Sequence, residues 1–139
     1  MATYWLSSIK SDTPEKTVER AKKLFSEHKI FAFTGLIAAV TKGDFVCIYA
    51  AKIGMVCGAK VSSTPEFTKN PELFNTQVPL WTFKLEDVRL FIDKPIVPNI
   101  EVRKKMDAYR GKSIERNWGW LFQGIRKISE HDFHILTGT

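Results

Sequence analysis

The segment from Val78 to Phe91 is the longest strand-like run in the chain, and it alternates. Leu80, Thr82 and Lys84 share one parity; Trp81, Phe83 and Leu85 share the other. A period of two sends successive side chains to opposite sides of a sheet, so the aromatic parity is expected to face a core. Further strands lie upstream. Lys42-Gly43-Asp44 is a turn signal that launches the almost wholly apolar Phe45 to Ala50. Lys52-Ile53-Gly54 reads as a second turn, and Met55 to Val61 as the return strand of a hairpin. Gly58 inside that strand signals a bulge or a close backbone approach. Tyr4-Trp5-Leu6 opens the chain as a short strand, Ile30 to Phe33 reads as extended, and Trp118 to Phe122 as a late strand.

Helical signals are fewer. Thr13 can cap, Pro14 fits the first helical position and Glu15 complements the positive helix end. Val18, Ala21, Leu24 and Phe25 then recur at helical spacing to about His28. Glu101 to Tyr109 is expected as a short basic helix with Val102, Met106 and Tyr109 on one stripe, and Ser129-Glu130-His131-Asp132 as the start of a terminal helix. Ser62 to Gln77 is a polar excursion with room for one helical turn. Strands and helices that do not alternate strictly argue for α+β, and five or six strands close most easily as a small mixed β-barrel with flanking short helices. A length of 139 residues with 44% hydrophobic and 26% charged residues indicates one folded domain, residues 1–139.

No apolar run approaches the ~20 residues that cross a bilayer, so no membrane partner is expected. The opening Met-Ala-Thr-Tyr-Trp lacks a charged region followed by a long apolar core, so a cytoplasmic protein is expected. Cys47 and Cys57 lie in apolar surroundings and are expected as reduced core thiols, although neighbouring strands would also permit a bridge.

The charge is unevenly placed. The window 103–127 holds Arg103, Lys104, Lys105, Arg110, Lys112, Arg116, Arg126 and Lys127 against Asp107 and Glu115. Eight minus two is +6, the formal charge of the whole chain, so the rest of the sequence balances. Trp118, Trp120 and Phe122 are interleaved with these cations. Clustered cations with aromatics suit a polyanion that also offers flat rings, namely a nucleic acid. The plainer alternative is a solvated basic loop before a buried strand.

Signals for catalysis are missing. There is no phosphate-binding glycine loop and no nucleophile elbow, and no paired carboxylates stand in an apolar stretch. His131 and His134 lie three apart, but the cysteines that could complete a zinc site are distant, so no metal and no cofactor are expected. A non-enzymatic protein is the expectation. In Trp118-Gly119-Trp120 both indoles fall on one side of a strand, with Gln123 and Arg126 as polar edges nearby. An indole wall with an amide at its rim can stack a base and read its edge. Alternatively, Trp120 packs under the terminal helix and Gln123 is exposed.

Several of these segments together resemble the EVE domain family. They are Tyr4-Trp5-Leu6, the run from Lys42-Gly43-Asp44 to Tyr49, Met55-Val56-Cys57-Gly58 to Val61, and Trp118 to Ile128 followed by Glu130-His131-Asp132-Phe133. The last pair is similar to the archaeal-type branch. The resemblance spans nearly the whole chain and implies a PUA-like barrel related to YTH and ASCH domains. It also implies a pocket for an extruded, often modified base. By position that pocket would use Trp5, Phe33, Thr34, Gly35, Tyr49, Trp118 and Trp120, with Gln123 beside them. The basic residues from Arg103 to Lys127 would form the phosphate rim. Nucleic acid, DNA or RNA, is the partner so implied. Two other readings stay open: an acidic protein partner held by the basic helix and Trp120, and a small-molecule enzyme acting near Glu101, Glu115 or His131.

Overall fold

The computed structural model describes residues 2–33, 40–74, 76–111 and 125–139. Among the described residues seven strands form one mixed sheet: β1 (Tyr4–Ile9), β2 (Ile30–Phe33), β3 (Phe45–Ala50), β4 (Gly54–Val61), β5 (Glu66–Thr68), β6 (Leu80–Leu90) and β7 (Arg126–Ile128). Their order is β2-β6-β4-β3-β1-β7, with β5 paired to β6 beside this path. The sheet curls into a half-barrel with four short helices, α1 (Pro14–Ala21), α2 (Pro71–Phe74), α3 (Ile100–Arg103) and α4 (Glu130–Thr137). This is the mixed α+β architecture expected from the sequence, with two three-residue strands it did not indicate, β5 in the polar excursion and β7 just before α4.

Local signals explain most of the elements. Thr13 Oγ1 accepts the Lys16 N–H at 3.2 Å and Pro14 sits in the first turn, so α1 begins where the sequence indicates. Beyond Ala21 the helix continues as a π-helix over Lys22–Glu27, which buries Leu24 and Phe25. Ser129 caps α4 by accepting the Asp132 N–H at 3.0 Å, and Gly138 ends it with φ 70°. The β3–β4 hairpin and β6 form the antiparallel centre, while β1 runs parallel to β3.

Alternation divides the core between two sides of the sheet. One side buries Trp5, Val46, Ile48, Val56, Phe83 and Leu85 against Leu24 and Phe25 and against Leu73 and Phe74 of α2. The other buries Leu6, Cys47 and Met55 against Met106, Tyr109, Phe133 and Leu136. Phe83 and Leu85 are thus inside, as their parity requires. Cys47 and Cys57 are buried free thiols. Burial pushes Cys57 up to about 12 and Cys47 well above its ordinary value.

Gly58 combines both expectations set for it. The β4–β6 register shifts between Gly58 and Lys60, and α4 lies directly on the Gly58 backbone. A Cβ at Gly58 would stand 2.8 Å from Thr137 Cγ2, closer than packed carbons tolerate. Gly58→Val is therefore expected to cost about 1–3 kcal/mol through overpacking, read as a lowered midpoint of thermal unfolding; an unchanged midpoint would show that α4 yields freely.

Candidate nucleic-acid interface

The basic segment is an anchored surface. Asn99 caps α3 by accepting the Val102 N–H at 3.0 Å. The chain then turns through Lys104 and Lys105 into a 3₁₀ turn over Asp107–Tyr109. The single helix expected over Glu101 to Tyr109 is thus broken at Lys104 to Met106, yet Met106 and Tyr109 are buried and Val102 packs against the same cluster, so the three apolar residues still face one core. Asp132 in the first turn of α4 clamps the segment: its carboxylate accepts the N–H of Asp107 at 2.6 Å and of Ala108 at 2.9 Å. Ser129 Oγ donates to Asp107 Oδ2 at 2.8 Å, and the His131 ring bonds the Lys105 carbonyl at 2.7 Å. Burial raises the Asp132 carboxyl, and these backbone N–H donors oppose that rise.

On this frame Lys104, Lys105 and Arg110 are exposed. Lys104 lies 3.4 Å from Glu101, and Arg110 lies 2.9 Å from Asp107. Both are surface pairs three residues apart, each worth little in water and easily exchanged for a phosphate. The cations border a cleft of about 180 Å³ that also includes Tyr109 and His131.

Arg103 departs from the rim expected for it. It is 5% exposed, with its guanidinium carbon 5.9 Å from the Tyr109 ring centroid. The α3 turn rotates it inward, so it supports the segment rather than contacting a backbone phosphate. On β7, Lys127 is exposed and Arg126 half-buried, and alternation sends them to opposite sides of the sheet. The expected rim is therefore divided among the described residues. Lys112 and Arg116 lie outside them.

The expected base pocket is also divided. Trp5 is 6% exposed in the core, and its indole N–H donates to Asp44 Oδ2 at 3.0 Å. Tyr49 packs with the cluster on the opposite side of the sheet. The period of two separates them: Trp5 pairs with Val46, whereas Tyr49 shares the parity of Cys47. These two residues cannot wall one cavity. Phe33 ends β2 opposite Trp81 of β6. Thr34, Gly35, Trp118, Trp120 and Gln123 lie outside the described residues, as does the strand expected over Trp118 to Phe122.

Asp44 explains why the opening aromatics and the Gly-Asp turn occur together. Its carboxylate accepts the Thr3 N–H at 3.0 Å, the Thr41 N–H at 2.9 Å and the Trp5 indole. Burial alone would raise this carboxyl, but these donors hold it below its ordinary value. On the other side of β1, Tyr4 stacks on Phe45 with centroids 5.1 Å apart and planes at 10°.

One aromatic surface was not anticipated. Phe67 on β5 is 59% exposed and lies 5.3 Å from the half-buried Trp81, the ring planes at 49°. Trp81 is directly paired with Phe67 on one flank and with Phe33 on the other. A single apolar residue between Glu66 and Thr68 carries no strand signal, so the sequence could not place it.

Asp107, His131 and Asp132 offer donor atoms within 4.8 Å of one another. Each already has a partner within the clamp described above, so this group reads as a structural fastening. Among the described residues no helix is long and apolar enough to cross a membrane.

No protein-family model matches the chain, and no curated protein matches it either. Solved structures do. The chain is similar to protein Atu2648 from Agrobacterium tumefaciens, with TM-score 0.54 and 12% identity over 99% of this chain and 92% of that one. It is also similar to the YTH domain of Toxoplasma CPSF4, in its apo form, with TM-score 0.50 and 14% identity over 99% of this chain and 87% of that one. The fold is PUA-like. At these identities the likeness concerns the fold alone, and it covers both sides of the sheet.

Proposed function

We propose that this chain is a non-catalytic, EVE-type module that binds single-stranded nucleic acid. Lys104, Lys105 and Arg110 contact phosphates on one side of the sheet, and Phe67 with Trp81 offers a separate surface on the other side, where a base, modified or plain, stacks when the strand passes round the sheet edge. The observation that carries the reading is the set of exposed cations on a turn locked to α4 by Asp132. A rigid turn loses little entropy when it meets a polyanion. Exposed Phe67, backed by the half-buried Trp81, supplies the flat surface that single strands use, worth about 1–3 kcal/mol per stacked base. The likeness to a YTH domain supports the same reading, as do the motifs shared with the EVE family.

Fluorescence anisotropy with a short labelled RNA and its DNA counterpart tests it. The triple substitution Lys104→Glu, Lys105→Glu, Arg110→Glu is expected to weaken binding by at least tenfold, since each phosphate contact carries a share of the counterion release. Phe67→Ala is expected to weaken binding by about fivefold or more without lowering thermal stability, because its ring is mostly exposed. Unchanged affinity in both variants would reject the interface. An acidic protein competing for the same cations, with oligonucleotides inert, would favour the protein-partner reading instead.

A further inference from the structure

A second cleft lies on the other flank of α4, and nothing in the nucleic-acid reading uses it. It encloses about 240 Å³ between the last turns of α4, β4 and β6. Its apolar lining includes Phe45 and Phe133, whose centroids are 5.7 Å apart, together with the Gly58 and Ala59 segment. The absence of a side chain at Gly58 lets α4 approach this segment closely. Lys60 and Arg89 supply cations around the opening, where Asp87 and Thr139 also line the cleft and His134 bonds the Thr139 hydroxyl at 2.7 Å. Lys60 Nζ lies 5.9 Å from the Phe45 ring centroid, and the Arg89 guanidinium 5.9 Å from that of Phe91. Neither cation is matched to a carboxylate within ion-pair distance among the described residues.

The geometry points to a binding site for a small aromatic anion. A flat ring enters against Phe45 and Phe133, and its carboxylate or phosphate is held by Lys60 and Arg89. The volume is below the roughly 300–1,000 Å³ of drug-sized pockets, which limits the occupant to one ring system with a short anionic arm. A planar ring offers its positive edge to the phenyl faces. The ring displaces the Lys60 ammonium from Phe45, and the anion then receives it. A neutral aromatic forfeits both charge-assisted contacts, and a bare anion forfeits the apolar floor.

Titration of the isotope-labelled protein, followed by amide chemical shifts, tests the site without any oligonucleotide. Its failure is therefore separate from failure of the nucleic-acid reading. The probes are phenyl phosphate and benzoate, with phenol, benzyl alcohol and inorganic phosphate as controls. Saturable shifts are expected at Gly58, Ala59, Lys60 and Thr137 with at least one aromatic anion, and the tighter of the two identifies the anionic group. The matching neutral ring and inorganic phosphate are expected to bind at least tenfold more weakly. Arg89→Glu and Lys60→Gln are each expected to weaken binding about tenfold while leaving the melting midpoint in place, since Arg89 is exposed and Lys60 half-buried. Equal binding of charged and neutral rings would overturn the proposal. So would shifts confined to the Lys104–Arg110 cleft, or the absence of saturation at millimolar probe.

Discussion

Trp5→Ala is expected to destabilise the fold by about 3–5 kcal/mol, the usual cost of deleting a buried indole from a packed core. Trp5 is 6% exposed and lies in the cluster with Val46, Ile48 and Phe83. Truncation removes this packing and also leaves Asp44 without one of its donors. Denaturant unfolding gives the number, with a lowered midpoint and an unchanged slope as the signature of lost stability. The variant that remains folded is expected to bind oligonucleotides with its original affinity. A stable Trp5→Ala protein that no longer binds would return this indole to a ligand pocket.

Asp44→Ala is expected to cost about 3 kcal/mol or more. The carboxylate accepts hydrogen bonds from the Thr3 and Thr41 N–H groups, the Thr41 side chain and the Trp5 indole, and its loss strands the indole N–H inside the protein. The effect has a pH signature. The folded carboxyl is held below its ordinary value, so its contribution is fully present above the unfolded pKa, about 3.9 for an aspartate, and is lost as pH falls through the lower folded value. The gap in stability between the original protein and Asp44→Ala should therefore be widest above about pH 4 and narrow in stronger acid. Unfolding measured from pH 2 to 7 checks this; a gap independent of pH would mean that the carboxylate's charge contributes nothing. Because Trp5 and Asp44 share a hydrogen bond, the two substitutions together should cost less than their sum.

These two residues show what the sequence revealed and what it concealed. Tyr4-Trp5 and Gly43-Asp44 are legible as motifs because they form one fastening between the starts of two parallel strands. The same logic misplaces the site, since Trp5, chosen by its motif, serves packing. In a run as short and apolar as Tyr4-Trp5-Leu6 no polar position marks the wet side, so parity could not decide where the indole points. Caps were readable at Thr13 and Ser129 because they are local. The parallel pairing of β1 with β3 is separated by some forty positions and leaves no local trace. Arg103 illustrates the matching difficulty for charge: four basic residues within eight positions look alike, and only the turn geometry shows which one is folded inward.

Phe67 and β5 were illegible for a different reason. A three-residue strand in a polar stretch has neither length nor alternation, and it exists because the edge of β6 offers it hydrogen bonds. The aromatic surface that best suits a base therefore arises from tertiary pairing between segments that individually suggest nothing.

The most direct measurement is the affinity for an oligonucleotide as a function of salt. If three or four phosphates are neutralised, the logarithm of the binding constant should fall with the logarithm of salt with a slope near −3 on duplex DNA and about −2 to −3 on a single strand. The triple Lys104, Lys105, Arg110 to Glu substitution should flatten that line. A line already flat in the original protein, or no binding to any strand at low salt, would contradict a nucleic-acid interface on this turn.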